Sequence, residues 1–452
     1  METKNATHEL KPGAPGKLGK LDLFMLAVGQ TIGAGVISLI GPGIATTGYS
    51  VWLSYLLAMV FGIFLALPYL LMSSSLRFSG GAYSIIHALV GEKMAGAYLV
   101  GQIPGFVGIA SFCISLSNYV VSVFPDANPQ LVSFAFLTLF VVLHCFGVNL
   151  MAKLQNVMGY ALIAGLGIFI LIGFTKVDPV IFNAASDKFM TNGMDGLISA
   201  MFTFSYSTYG YYLVISYGRD AKNARRDIPW AMLISIPVIA FIYVGCAIVG
   251  VGVIPMDIAA GQPLTYAARE VLPGILFIVF MVFGVGGALL TTLNSSIAYR
   301  SIMAAKGAED GWLPKIFAKR NRYGAPVAVL ALIYVVASLP IIFKFPVSKV
   351  TNNINLFYSM LTFITFVAFF KLPTKYPEAW ARSRFHMPNQ VYYVVISICL
   401  CAQIAVFIMS IRSIGRVAAT ISIVAMLAAF AFGVIRHGSG NIVEKEPNVW
   451  SD

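Results

Sequence analysis

The chain has 452 residues, 58% of them hydrophobic and only 11% charged, with a formal net charge of +12 at pH 7. Soluble domains carry roughly 45–50% apolar and about 25% charged residues, so the composition excludes an ordinary soluble enzyme or binding module and fits a polytopic membrane protein. The positive balance follows the topology worked out next, and no nucleic-acid partner is needed to explain it.

Residues 1–20 form a polar, Lys-bearing leader without a small-residue cleavage pattern, expected to be a cytoplasmic tail rather than a removable signal. Apolar segments of about 18 residues or more read as membrane spans. Twelve are expected, near residues 21–47, 50–72, 96–123, 130–148, 155–174, 196–217, 229–254, 274–299, 326–343, 352–370, 391–411 and 415–435. Residues 437–452 form a C-terminal tail. An even count brings both termini to one side, and with the N-terminus inside, 23 of the 30 Lys and Arg residues fall in cytoplasmic segments. Basic residues near spans are retained in the cytoplasm. The expectation is a multi-pass protein of the cell membrane, plasma or inner, with both termini cytoplasmic.

The first span contains Gly29-Gln30-Thr31-Ile32-Gly33-Ala34-Gly35, where a helix comes apart most easily. An opened helix at membrane depth is tolerated only where its backbone lines a cavity or is buried in protein. The sixth span contains Tyr206-Ser207-Thr208-Tyr209-Gly210 at the corresponding place in the second half of the chain. Each half holds five spans, and five is odd, so the second half inserts upside down relative to the first. Residues 21–175 form one repeat and 194–371 the other, with 390–436 as a peripheral pair of spans.

A half-helix starting near Ala34 offers free amides and a positive dipole end to a carboxylate, while half-helices ending near Thr31 and Tyr206 offer carbonyls to an ammonium group. Together these suit the zwitterion of an α-amino acid. The five cysteines (Cys113, Cys145, Cys246, Cys399, Cys401) all fall in expected spans without metal-ligand spacing, and read as small buried residues. No metal or cofactor is expected. Catalytic carboxylate pairs and a Ser/His set are missing from the span interiors, so an enzyme is not expected. His144, the one histidine in a span, is assigned to helix packing.

Four blocks resemble patterns of the amino acid/polyamine/organocation transporter superfamily: Ile32-Gly33-Ala34-Gly35-Val36-Ile37; Gly80-Gly81-Ala82-Tyr83; Arg219 through Asn223 to Arg226-Asp227-Ile228-Pro229; and Glu309-Asp310-Gly311-Trp312-Leu313-Pro314 leading to Pro326. The resemblance implies an all-α integral membrane protein of twelve transmembrane helices, with a leucine-transporter-like 5+5 inverted repeat and broken first and sixth helices. It places substrate contacts on Thr31, Ile32, Gly33, Ala34, Gly35, Tyr206, Ser207, Tyr209 and Gly210. Carboxylate-binding amides fall on Ala34 and Gly35, carbonyls for the amino group on Thr31, Tyr206 and Tyr209, an aromatic gate on Tyr206 and a flexible glycine on Gly210. Gln102, Tyr212, Ser295 and Ser296 are expected pocket-lining residues.

Relatives that handle arginine or diamines carry an acid at the position of Tyr212, so cationic side chains are disfavoured here. Anionic ones are disfavoured too, because no Lys or Arg is expected mid-span. Sodium-independent relatives place an ion-substituting Lys at the position of Leu162, and Lys153 lies too near the cytoplasmic end to replace it. The expected activity is secondary active transport of small neutral L-amino acids by alternating access, most directly by substrate exchange. Proton- or sodium-coupled symport is the alternative, with Ser295, Ser296 and Ser301 available to a sodium ion, and a transport-inactive amino-acid sensor is a second one. Expected partners are a small-molecule amino acid and the lipid bilayer, without a disulfide-linked heavy chain.

Overall fold

A computed structural model describes residues 16–345, 347–412, 416–438, 442 and 449–450. Most of both expected tails lies outside the described residues. The helices in chain order are α1 (Lys20–Thr31), α2 (Ala34–Ser38), α3 (Ile40–Thr47), α4 (Val51–Ser75), α5 (Ala82–Leu89), α6 (Glu92–Gln102), α7 (Ile109–Val123), α8 (Pro129–His144), α9 (Val148–Phe174), α10 (Gly193–Thr208), α11 (Ala224–Gly252), α12 (Met256–Ala259), α13 (Thr265–Val271), α14 (Gly274–Val279), α15 (Gly287–Glu309), α16 (Val327–Ile342), α17 (Val347–Phe369), α18 (Leu372–Lys375), α19 (Pro377–Ala381), α20 (Asn389–Arg412) and α21 (Arg416–Gly438). Strand pairing among the described residues joins β1 (Arg77–Phe78) antiparallel to β2 (Val449–Trp450).

Helix dominates because each apolar segment satisfies its backbone internally, a condition that lipid enforces. Eight stretches are long and apolar enough to cross a membrane, and Pro129–His144, Val327–Ile342 and Tyr358–Phe369 are shorter apolar helices. A large buried core is shared by α1, α4, α9 and α11, and a second by α7, α8, α15 and α16. Ile32 and Val36 of the first broken segment and Tyr211 of the second belong to the first core, and Ala34 packs against the second.

One expected boundary is corrected. The apolar stretch 274–299 continues as helix to Glu309, through a π-helical segment at Phe280–Gly286 and then α15. Residues 302–308 (Ile-Met-Ala-Ala-Lys-Gly-Ala) are mostly good helix formers, and Met303, Ala304, Ala305 and Ala308 are buried against neighbouring helices. Arg300, expected in the loop, therefore stands inside the bundle with 5% exposure. A cation does stand mid-helix in this chain.

Candidate functional site

The first helix breaks where its glycines stand. Ile32 is extended (φ −80°, ψ 95°), Gly33 takes φ −125° and ψ −147°, and α2 restarts at Ala34. Glycine is required at position 33 by proximity: an added Cβ would lie 2.8 Å from Thr292 Oγ1. The Thr292 hydroxyl lies 2.9 Å from the carbonyl oxygens of Gly29 and of Ala288 in its own helix and 3.3 Å from that of Ile32, so its single proton serves one of these carbonyls at a time. The Ala34 and Gly35 amides open α2 and have no hydrogen-bond partner among the described residues. Such orphan donors at a helix start suit an anion.

The second interruption comes two residues later than expected. α10 continues past Tyr206 to Thr208, Tyr209 leaves helical geometry (φ −117°, ψ 10°), and the chain goes on as a tighter 3-10 helix over Gly210–Tyr217. The carbonyl-bearing end of the half-helix is therefore centred on Ser207 and Thr208 rather than Tyr206. A 3-10 stretch inside a span often marks a hinge.

The two breaks touch. An added Cβ on Gly35 would lie 2.6 Å from Ser207 Cβ, and one on Gly210 would lie 3.0 Å from the Gln30 carbonyl oxygen. Tyr243 of α11 stands between them, its hydroxyl 3.0 Å from the Thr31 carbonyl and 3.0 Å from that of Ser207. Tyr55 of α4 stacks on Phe204 with ring centroids 3.7 Å apart and donates to the Gly35 carbonyl at 3.3 Å. The Tyr243 hydroxyl has one proton, shared between the Thr31 carbonyl, expected to receive an amino group, and that of Ser207.

Thr31, Ile32, Gly33, Ala34, Gly35, Ser207, Tyr209 and Gly210 are thus brought to one place. Tyr206, next in the chain to Ser207, has 48% of its surface exposed. Tyr212 packs on Tyr69 and Tyr209, with centroids 4.2 and 5.7 Å away. Gln102 is buried at the end of α6, and the Ser295 and Ser296 hydroxyls are buried without a hydrogen-bond partner among the described residues. The hydroxyl that faces carbonyls of the first span is Thr292, whereas Ser301 bonds its own helix at Ala298. Leu162 is fully buried and its backbone abuts Gly287, while Lys153 is exposed, in keeping with an anchor. Sequence reasoning missed Tyr243, Tyr55, Thr292 and Arg300; of these, Arg300 carried a signal, since Thr292, Ser296 and Arg300 recur at the four-residue spacing of one helix face.

Toward the end of the bundle that carries the N-terminal segment, a cavity of about 580 Å³ is lined by Lys17, Arg77, His144, Asp220, Ser301 and Arg320, among others. Gly16 to Leu18 bond the backbone of Asp220 and Ala221 there, and Arg77 Nε donates to the Gly218 carbonyl at 2.7 Å. Burial raises the Asp220 carboxyl above its ordinary value. Nearby, Glu309 pairs with Arg320 at 2.8 Å and Arg219 at 3.3 Å, and Lys306 with Asp310 at 3.0 Å. Tyr83 of α5 donates to Asp310 at 2.8 Å, and burial beside that carboxylate raises its phenol. The sequence blocks around Gly81, Arg219 and Glu309 therefore form one polar closure.

The profile of the amino acid permease family matches residues 18–441. The chain belongs to that family. The permease is 26% identical over 334 residues to the branched-chain amino acid permease BcaP of Bacillus subtilis, covering 68% of this chain and 70% of the relative. It is 24% identical over 316 residues to an uncharacterised protein of Methanocaldococcus jannaschii, with 67% and 71% covered. It is 27% identical over 331 residues to the chloroplastic cationic amino acid transporter 9 of Arabidopsis thaliana, with 67% and 57% covered. The permease is thus a transporter of the amino acid/polyamine/organocation superfamily and not an enzyme, as the four sequence blocks implied.

Proposed function

We propose that the permease moves L-α-amino acids across the cell membrane by alternating access, as an exchanger, with the substrate's zwitterionic head held between the two broken helices. The observation that carries this reading is the contact of the two breaks at Gly35 and Ser207, with the Ala34 and Gly35 amides unpaired beside it. The amides take the carboxylate; the Tyr209 carbonyl, with a share of Thr31 and Ser207, takes the ammonium. The helices form twelve spans in a 5+5 inverted repeat, residues 21–175 and 194–371, with 390–436 peripheral and both termini cytoplasmic.

Tyr243 ties the breaks together, so α1, α10 and α11 rock with α4 as one body against α7, α8, α15 and α16. Tyr206 swings over the site to occlude it. Exchange is favoured over ion coupling because Leu162 leaves no protonatable group between α9 and the first break. Cationic side chains are rejected, since among the described residues no acid faces the site and Arg300 adds positive charge inside the bundle. The neutral-substrate expectation keeps its support on that side only, because Arg300 removes the argument against anions.

The test is counterflow in proteoliposomes: vesicles loaded with unlabelled amino acid should accumulate labelled amino acid without a proton or sodium gradient. Accumulation into empty vesicles driven by either gradient would replace the exchanger by a symporter.

A further inference from the structure

We infer that Arg300, with Ser295 and Ser296, forms an anion-binding site inside the bundle, and that it takes a small monovalent anion, chloride, as a resident counter-ion. The site is separate from the two breaks and goes beyond the amino-acid reading above. Arg300 is held by two helices. Its Nη1 donates to the Ser296 carbonyl, one turn earlier in α15, at 3.1 Å, while Nε and Nη2 donate to the Tyr358 hydroxyl of α17 at 3.3 and 2.9 Å. Tyr358 passes its own proton to the Gly105 carbonyl at 3.0 Å. The guanidinium therefore sits at the junction of α15, α17 and the Pro104–Gly108 turn, with its carbon 4.6 Å from the Tyr299 ring centroid and 5.7 Å from that of Tyr358.

These contacts leave donors over. A guanidinium carries five N–H groups, and the three bonds just named leave two unassigned, one on each terminal nitrogen. The Ser295 and Ser296 hydroxyls, on the turn to which Nη1 is bonded, are buried with no hydrogen-bond partner among the described residues, and each side chain is only 1% exposed. The charge is uncompensated as well. Among the described residues no carboxylate pairs with Arg300, and the groups acting on it electrostatically are the phenols of Tyr299, Tyr358 and Tyr206. A buried charge without an opposite charge is costly, and ring faces offset that cost only in part.

What the junction lacks is one negative charge and a set of acceptors. Chloride supplies both: its single charge matches the single cation, it brings no donor that would itself need a partner, and it accepts from several directions at once. A divalent oxyanion would overcompensate the guanidinium, and a bulky one does not suit groups that are 1–5% exposed. With the anion bound, Arg300 adds no net charge, and the rejection of cationic side chains then rests on the missing acid alone.

The experiment uses the full chain purified without halide in potassium gluconate, and follows the unfolding temperature as gluconate is replaced by chloride or bromide at constant ionic strength. The wild type should show a saturable rise with either halide. S295A/S296A keeps the cation but loses two donors, and should need about tenfold more chloride for half of its rise. R300Q should show no saturable rise. A wild type with the same unfolding temperature in chloride and gluconate overturns the inference; so does an R300Q response equal to the wild type's, or an unchanged chloride midpoint in S295A/S296A, which decides the matter with the wild type if R300Q does not fold. Stabilisation by an amino acid in gluconate alone reads the two breaks separately, so a failure of the halide arm leaves the amino-acid reading standing.

Discussion

Replacing Gly35 by alanine is the sharpest perturbation of the contact between the two broken helices. The new Cβ would lie 2.6 Å from Ser207 Cβ and 3.0 Å from Ser207 Oγ, closer than packed carbon atoms come, while its next neighbour, Leu39, stands at an ordinary 3.5 Å. The clash is thus with one side chain on the opposite break. Overpacking of this kind costs about 1–3 kcal/mol, which is roughly a 5- to 150-fold loss of substrate affinity if only the assembled site binds. Gly35→Leu enlarges the clash, so its defect includes the helix contact as well as the approach of the carboxylate. The double variant Gly35→Ala/Ser207→Gly removes the obstructing carbon and should recover most of the loss, less about 1 kcal/mol for a glycine near the helix end. Substrate-induced shifts in thermal unfolding, with counterflow on the same preparations, read both effects. Normal affinity in Gly35→Ala, or no recovery in the double variant, would refute the steric reasoning.

Tyr243→Phe removes the hydroxyl that serves the Thr31 and Ser207 carbonyls. It should destabilise the fold by about 1–3 kcal/mol, read as a lower unfolding temperature; an unchanged temperature would show that the tether carries no energy. Tyr206→Ala should slow exchange more than it weakens binding, since the half-exposed ring acts on occlusion; an unchanged exchange rate would remove the gate assignment. An uncoupler should leave exchange intact in substrate-loaded vesicles, because Leu162 offers no proton site; abolition of uptake would point to a proton carrier elsewhere.

The first break was legible because glycines at 33 and 35 mark a place where a helix parts and backbone comes close to its neighbours. The sequence points to Tyr206 as the end of the sixth half-helix, but the helix stops at Thr208, and the Ser207 carbonyl near its end lies 3.0 Å from the Tyr243 hydroxyl; that is a contact between distant parts of the chain, which local sequence does not carry. Tyr55, Tyr243 and Thr292 look like any hydroxyl residue in an apolar span until folding aims them at backbone carbonyls. Arg300 was lost to a different cause. Hydropathy ends a span at its first arginine, whereas the helix itself continues through good helix formers that other helices, not lipid, surround.

The central claim, a zwitterionic head held by backbone groups at the two breaks, is tested most directly by comparing three ligands of one acidic or neutral amino acid on the purified full chain: the amino acid itself, its decarboxylated amine and its deaminated acid. The account predicts that only the intact amino acid raises the unfolding temperature at low concentration, with both truncated forms weaker by at least about tenfold, the loss expected when charge-assisted hydrogen bonds are removed. Equal stabilisation by the amine or by the deaminated acid would contradict it.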